Sequence, residues 1–202
     1  MTHGFDRPLT RRALTGLIFS AGMSAVAPAW ATSPAEGYVT SIAGEVMSLA
    51  NKSQKGPQLK AQFAALLNRY INLKGIADYA LGPYVKQLPP ARRDEFYGLV
   101  NNYAAALFNY YVEDFRGSQL EIMSTTQQGK FTTIQSAITG SGNREQVRWR
   151  LISAGDSFRV SDVNLKGVWL TIAMKDRFGK VLGKSKGDFD PLFVELRQAE
   201  TW

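Results

Sequence analysis

The sequence predicts an α+β fold, with N-terminal helices packed on a curved antiparallel sheet and further helices at the C-terminal end. Between about residues 38 and 115 the apolar residues recur at spacings of three and four, which is one face of a helix. Between about 120 and 165 they alternate, which is the period of a strand with one buried face. Helices first and a meander after make α+β rather than alternating α/β. The chain has 202 residues, 45% apolar and 20% charged. That is the composition of one ordinary domain with a tail, neither disordered nor a membrane bundle.

The tail comes first. Residues 1–31 hold a short basic part (Arg7, Arg11, Arg12), an apolar small-residue run from Ala13 to about Ala27, and the ending Ala29-Trp30-Ala31. This is the three-part pattern of an export signal with an A-x-A cleavage site. Thr10-Arg11-Arg12-Ala13-Leu14 is twin-arginine-like, although Leu14 stands where Phe is commonest and no Lys follows. The expectation is a removed segment 1–31 and a single exported domain, 32–202, in a bacterial periplasm.

Along that domain, Val39, Ile42, Ala43, Val46 and Ala50 form one helical face, broken by Gln54-Lys55-Gly56-Pro57. A second helix is expected over 58–72, and a short third piece holds Ile76, Tyr79, Ala80 and Leu81. Pro89-Pro90 precede the longest helix, whose first turn holds Asp94 and Glu95 and which reads to about Phe115. Its stripe is Phe96, Leu99, Val100, Tyr103, Leu107, Phe108 and Tyr111. Strands are expected over 120–124, 131–139, 146–153 and 158–165. Turns at Ser141-Gly142-Asn143 and Ala154-Gly155-Asp156 join the later ones. From Val168 the tail reads as strand by propensity and partly as helix by spacing. Asp188 suits the start of a last helix with Pro191 in its first turn.

Chemistry is limited by what is missing. There is no Cys, and the one His, His3, lies in the export segment. The exported domain therefore has no thiolate, no imidazole base and no Ser-His or Cys-His pair. Asp156 and Asp162, or Asp188 and Asp190, lack a third ligand or a ligand loop for metal work. No catalytic residue, cofactor or metal site is expected. Twenty of the 23 aromatic residues lie beyond position 31. Without the first 31 residues the chain holds 21 Lys and Arg against 16 Asp and Glu, a net +5. All of that excess lies in 166–186, which carries Lys166, Lys175, Arg177, Lys180, Lys184 and Lys186 against Asp176. Such a patch suits an anionic surface, or is a solvated helix face. No nucleic-acid-binding pattern accompanies it.

Three pieces of the chain resemble the periplasmic MlaC family, the toluene-tolerance auxiliary proteins. They are Ile76-Ala77-Asp78-Tyr79-Ala80-Leu81-Gly82-Pro83-Tyr84 with Leu88 to Phe96; Tyr103 to Tyr111 with Phe115; and Val160-Ser161-Asp162-Val163 with Gly167-Val168-Trp169-Leu170. Pro89, Arg93 and Phe96 stand at the places of that family's helix start. The resemblance covers about Tyr38 to Gln198. It implies helix after about Leu170, a fold related to the nuclear-transport-factor-like cone, and an apolar cavity between helices and sheet. It also implies a lipid carrier, not an enzyme; the alternative from another class is an isomerase or hydrolase on that cone fold acting through Asp and Tyr. Such a carrier shuttles phospholipid between an outer-membrane lipoprotein complex and an inner-membrane ABC transporter with an MCE component, and so maintains outer-membrane lipid asymmetry. A sub-branch associated with hopanoid biosynthesis implies a polycyclic triterpenoid instead, and the sequence does not separate the two.

Physical reasoning fits a carrier. A diacyl lipid hides on the order of 30 methylenes at ~0.8 kcal/mol each, so roughly 25 kcal/mol opposes its passage through water. A carrier needs an apolar pocket of comparable quality and no covalent chemistry. The expected lipid-binding residues are Tyr103, Leu107, Phe108 and Tyr111 on the long helix, opposed by Val147, Trp149, Leu151, Val160 and Val168. Stripe against stripe describes a filled core equally well. Arg148, Arg150 and Arg159, with Lys180, Lys184 and Lys186, are the expected headgroup or docking residues, since Arg forks suit a phosphate.

Overall fold

The computed structural model describes residues 32–140 and 143–199. The export segment and most of the Ser141-Gly142-Asn143 turn lie outside the described residues. Helix α1 (Pro34–Lys52) starts in a capping box: Ser33 Oγ accepts from the Glu36 amide, and a Glu36 carboxylate oxygen accepts from the Ser33 amide. Helix α2 (Pro57–Tyr70) begins on a proline that has no amide hydrogen to lose. Helix α3 (Leu73–Leu81) runs into a 3-10 turn at Gly82–Lys86. Helix α4 (Arg93–Tyr111) is the longest-reading helix of the sequence, but its α-helical part is 19 residues. Pro90–Arg92 before it and Val112–Phe115 after it are tighter 3-10 turns.

Five strands follow as an antiparallel meander, in the order β1 (Gln119–Gln128), β2 (Phe131–Gly140), β3 (Asn143–Ala154), β4 (Ser157–Leu165) and β5 (Val168–Trp169). Strand β1 extends past the expected 120–124 because Thr125 to Gln128 pair along β2 although they bury little. The tail becomes helix at once after β5, as α5 (Leu170–Lys184), and ends in α6 (Asp190–Gln198). Asp188 Oδ1 accepts the Asp190 amide at 3.0 Å, so it serves the start of α6.

A bulge in β4 sets which side chains reach the core. Leu151 opposes Val160 and Arg150 opposes Asp162, so Ser161 is the extra residue. The phase change places Val163 and Leu165 on the same face as Val160, beside Trp149 and Val147. Strict alternation would put them on the opposite face. Asp162 and Asn164 then share the other face with Arg150 and Arg148.

Among the described residues, most of the large buried apolar side chains gather in three clusters. A sheet cluster joins Ile134, Leu151 and Val160 to Val39 and Ile42 of α1 and Leu66 of α2. A helical cluster joins Phe96, Leu99 and Val100 of α4 to Phe178, Leu182 and Phe193 of α5 and α6. A third surrounds Phe108, Leu59 and Val112. The helices that meet the sheet's apolar face are thus α1 and α2, whereas the sequence pattern set the α4 stripe against it. Helix α4 packs its apolar residues on α2, α3 and α6 instead.

Candidate functional site

The α2–α3 elbow is pinned to the edge of the sheet. Ile71 bridges to Val160 as a short parallel pair, and the Asn72 amide donates to the Val160 carbonyl at 2.8 Å. Arg159 Nη1 donates to the Asn68 carbonyl at 2.9 Å, and the Tyr38 hydroxyl donates to the Tyr70 carbonyl at 3.1 Å. These bonds close the end of the sheet cluster. Between them and α4 lies a cleft of about 490 Å³, within the size range of small-molecule sites.

Each wall comes from a different element. Asn68, Ile71 and Asn72 come from the end of α2 and the elbow, Leu73 and Lys74 from the start of α3. Tyr97, Gly98 and Asn101 come from α4, and Arg159 from β4. Ile71 packs on the sheet cluster, while Leu73 and Tyr97 pack on the helical cluster. The cleft therefore opens on the seam between two apolar cores, with two cations at its rim.

The chemistry of the lining is that of recognition. The Tyr97 hydroxyl donates to Asp78 Oδ1 at 2.9 Å. Burial first, and that bond second, raise its pKa above the ordinary tyrosine value, so it stays a neutral donor. The Lys74 ammonium lies 5.3 Å from the Tyr97 ring centre. Gly98 exposes its face to the cleft, and a Cβ built there meets nothing within 4 Å. Asn101 is 8% exposed, and its amide nitrogen donates to the Ala64 carbonyl at 3.4 Å. Among the described residues, no group of three His, Asp or Glu is placed to hold a metal ion. No helix among them is long and apolar enough to cross a membrane.

The residues expected from sequence to bind lipid do not all meet. Leu151, Val160 and Trp149 gather in the sheet cluster, and Val160 also accepts the bond that pins the elbow. Trp149 Nε1 donates to Ser136 Oγ at 2.9 Å. Val147 is buried on the same face, opposite Leu165. Phe108 stacks on Phe63 at 3.9 Å in the third cluster. Tyr103 packs on the helical cluster, where burial, more than the nearby Arg177, governs its hydroxyl and raises the pKa. Leu107 is half-buried, and Tyr111 and Val168 are exposed.

Of the arginines, Arg159 reaches the cleft. Arg148 and Arg150 lie on the sheet face turned away from Leu151 and Val160, the face Arg159 also takes by its pairing with Ile152, and their guanidinium carbons are 5.4 and 4.0 Å from the Trp169 ring centre. Lys180, Lys184 and Lys186 stand exposed on α5 and the turn after it, and Lys180 borders a shallower cleft beside Tyr84. Pattern reading missed Asn68, Asn72, Lys74, Tyr97, Gly98 and Asn101. The one available signal was Gly98 with Asn101, a glycine and an amide one turn apart on the long helix.

Comparison with known proteins fits this architecture. A phospholipid-binding protein from Ralstonia solanacearum, solved in complex with a phospholipid, has the same fold with a TM-score of 0.71. The two are 16% identical over 84% of this chain and 98% of that one. No curated protein matches the chain. The sequence model of the family described as MlaC protein matches residues 40–198, from α1 to the end of α6. The match spans every element that builds the cleft, and the chain belongs to the MlaC family.

Proposed function

We propose that this protein is a periplasmic phospholipid carrier, exported by its first 31 residues as a single domain. It would move lipid between an outer-membrane lipoprotein complex and an inner-membrane MCE/ABC transporter. Its work is binding and transport rather than catalysis, in keeping with a domain that lacks His and Cys. The observation that carries the reading is the cleft between two apolar clusters with Lys74 and Arg159 on its rim. The phospholipid bound by the Ralstonia relative supports the same ligand here. The lipid phosphate sits between the two cations, which suit it as an ammonium and a planar fork. The acyl chains part the seam and lie along the Leu151 and Val160 face, with Trp149 and Val147 beside it. Of the remaining expected contacts, Tyr103 and Phe108 pack in other clusters and Tyr111 and Val168 are exposed, so this path does not use them.

Gly98 supplies the test. Replacing Gly98 by Phe places a ring in the open cleft on a helix that gains a better helix former. Wild-type protein purified natively should yield about one phospholipid per chain on solvent extraction and mass spectrometry. Gly98→Phe should yield less than a fifth of that with an unchanged circular dichroism spectrum. Lipid-free wild-type protein that also takes up nothing from liposomes would sink the carrier reading, and a bound triterpenoid would replace the phospholipid part of it.

A further inference from the structure

The corner where β5 turns into α5 holds apolar side chains out in water. Val168, Leu170 and Ile172 are 52%, 42% and 41% exposed. They are three of the eight large apolar side chains exposed among the described residues, and they fall within five positions. The corner is braced from behind. Leu165 and Val168 pair across a two-residue turn whose central residues, Lys166 at φ 51° and Gly167 at φ 85°, are both left-handed. Trp169 turns to Arg148 and Arg150, so Val168 beside it points to the other side of the strand. There Val168 extends a cross-strand row that starts at buried Val147 and passes through half-buried Leu165. Thr171 is buried with its amide and hydroxyl bonded to Asp162. A helix turns by about 100° per residue, so Leu170 and Ile172 stand out on either side of it.

An exposed apolar patch marks a contact surface, and its surroundings say with what. This corner opens the 166–186 stretch, which carries the net positive excess of the domain. Lys175 and Lys180 follow Ile172 by three and eight residues, so they share its flank of α5, with Asp176 the one acid between them. Leu170, Arg177 and Lys184 recur every seven residues along the other flank, where Arg177 is paired with Glu195 at 2.5 Å. Lys166, in the turn, stands 3.8 Å from Glu145. Protein interfaces are anchored mostly by Trp, Tyr and Arg, with Leu and Val under-represented. The exposed groups here are aliphatic, and the aromatic Trp169 is turned away under two arginines. Aliphatic side chains beside lysines match an anionic bilayer, whose acyl layer takes the first and whose phosphates take the second. We propose that the β5–α5 corner is a membrane-docking element that seats Val168, Leu170 and Ile172 in the acyl layer of an anionic bilayer. This rests on the carrier reading and adds to it the part of the protein that touches the membrane. Seating the corner shortens the stretch of water that an acyl chain crosses on its way out of or into the protein.

The chain has no Cys, so a single one can be placed where it is wanted. Val168→Cys and Ile172→Cys probe the corner, and Val194→Cys on α6 replaces a side chain of similar exposure outside it. Each is labelled with an environment-sensitive nitrobenzoxadiazole dye and mixed with vesicles of phosphatidylethanolamine and phosphatidylglycerol in equal amounts. The two corner labels should brighten about twofold or more and shift to the blue, and bromines on the lipid acyl chains should quench them. The Val194→Cys label should do neither. Leu170→Ser combined with Ile172→Ser should weaken vesicle binding about tenfold at physiological salt, the range of two half-exposed aliphatic side chains kept out of the acyl layer. It should keep the wild-type salt dependence and the wild-type lipid load per chain by mass spectrometry. The labels decide the matter on their own if that double variant fails to fold. Corner labels unmoved by vesicles would overturn the docking element, leave the corner to a protein partner and leave the carrier standing. A Val194→Cys label that responds as strongly would overturn it too. Responsive corner labels on a protein that carries no lipid would overturn the carrier and leave the docking element.

Discussion

At the scale of single residues, the capping box at Ser33 does two jobs. It closes the start of α1, and its Glu36 carboxylate also takes a hydrogen bond from the Thr125 hydroxyl on β1. That bond first, and the Ser33 amide second, hold the Glu36 pKa below its ordinary 4.5. The sign follows from linkage: a carboxylate with a lowered folded-state pKa stabilises the fold above the ordinary glutamate value. Its contribution is lost as pH falls through the lowered value. Glu36→Gln should therefore flatten the acid limb of a urea-unfolding profile between about pH 5 and 3. At neutral pH, Ser33→Ala should cost about 1 kcal/mol, the usual loss for an N-cap. An unchanged acid limb in Glu36→Gln would show that Thr125 and Glu36 do not pair in solution.

At the scale of elements, one carboxylate ties α5 to the sheet. Asp162 is 2% exposed and accepts from the Val163 amide at 2.9 Å, the Thr171 amide at 3.1 Å and the Thr171 hydroxyl at 2.6 Å. Arg150 Nη1 stands 3.7 Å away. The carboxylate thus serves two orphan groups in the first turn of α5 and lies at the positive end of that helix. Asp162→Ala should cost about 3 kcal/mol, because Thr171 is left buried and unpaired. Adding Thr171→Val should recover part of that loss. Hydrogen exchange at the first amides of α5 is the local readout, and their unchanged protection in Asp162→Ala would exclude the tether. The strand alternation that marked 158–165 in the sequence was real, but one bulge at Ser161 decided which face Asp162 took. A pattern of period two carries no mark of where a residue is skipped. The starts of α2, α4 and α6 were legible to within a few residues because Pro57, Pro90 and Pro191 punctuate them locally, whereas the residues of α5 read as strand and helix at once. The helix partner of the sheet was not, because α1, α2 and α4 all bear apolar stripes and a stripe does not name what it meets. The cleft was the least legible part, since the 68–74 elbow, Gly98 and Arg159 come from three separated stretches, and Arg159 alone among them stood out as a phosphate ligand.

At the scale of the whole molecule, charge is separated from the cleft's chemistry. The net positive excess of the domain lies in 166–186, and the structure sorts its members. Arg177 pairs with Glu195 at 2.5 Å, Lys166 stands 3.8 Å from Glu145, and Lys175 lies 5.1 Å from the Tyr79 ring centre. Lys180 and Lys184 stand one turn apart on α5, and Lys186 follows in a left-handed turn at φ 55°. These three are exposed, and none borders the 490 Å³ cleft. Each cation near an anionic bilayer contributes ~1 kcal/mol, screened over ~8 Å at physiological salt. The three together therefore attract without locking the protein down, which suits a carrier that must leave after delivery. Changing Lys180, Lys184 and Lys186 together to Gln should slow lipid transfer between anionic vesicles roughly tenfold to a hundredfold at low salt. It should also flatten the dependence of that rate on ionic strength, since the screened attraction is gone. Lipid bound per chain should stay the same, because the substitutions touch neither Arg159 nor Lys74. Transfer at the wild-type rate with the wild-type salt response would reduce this face of α5 to a solvated helix surface.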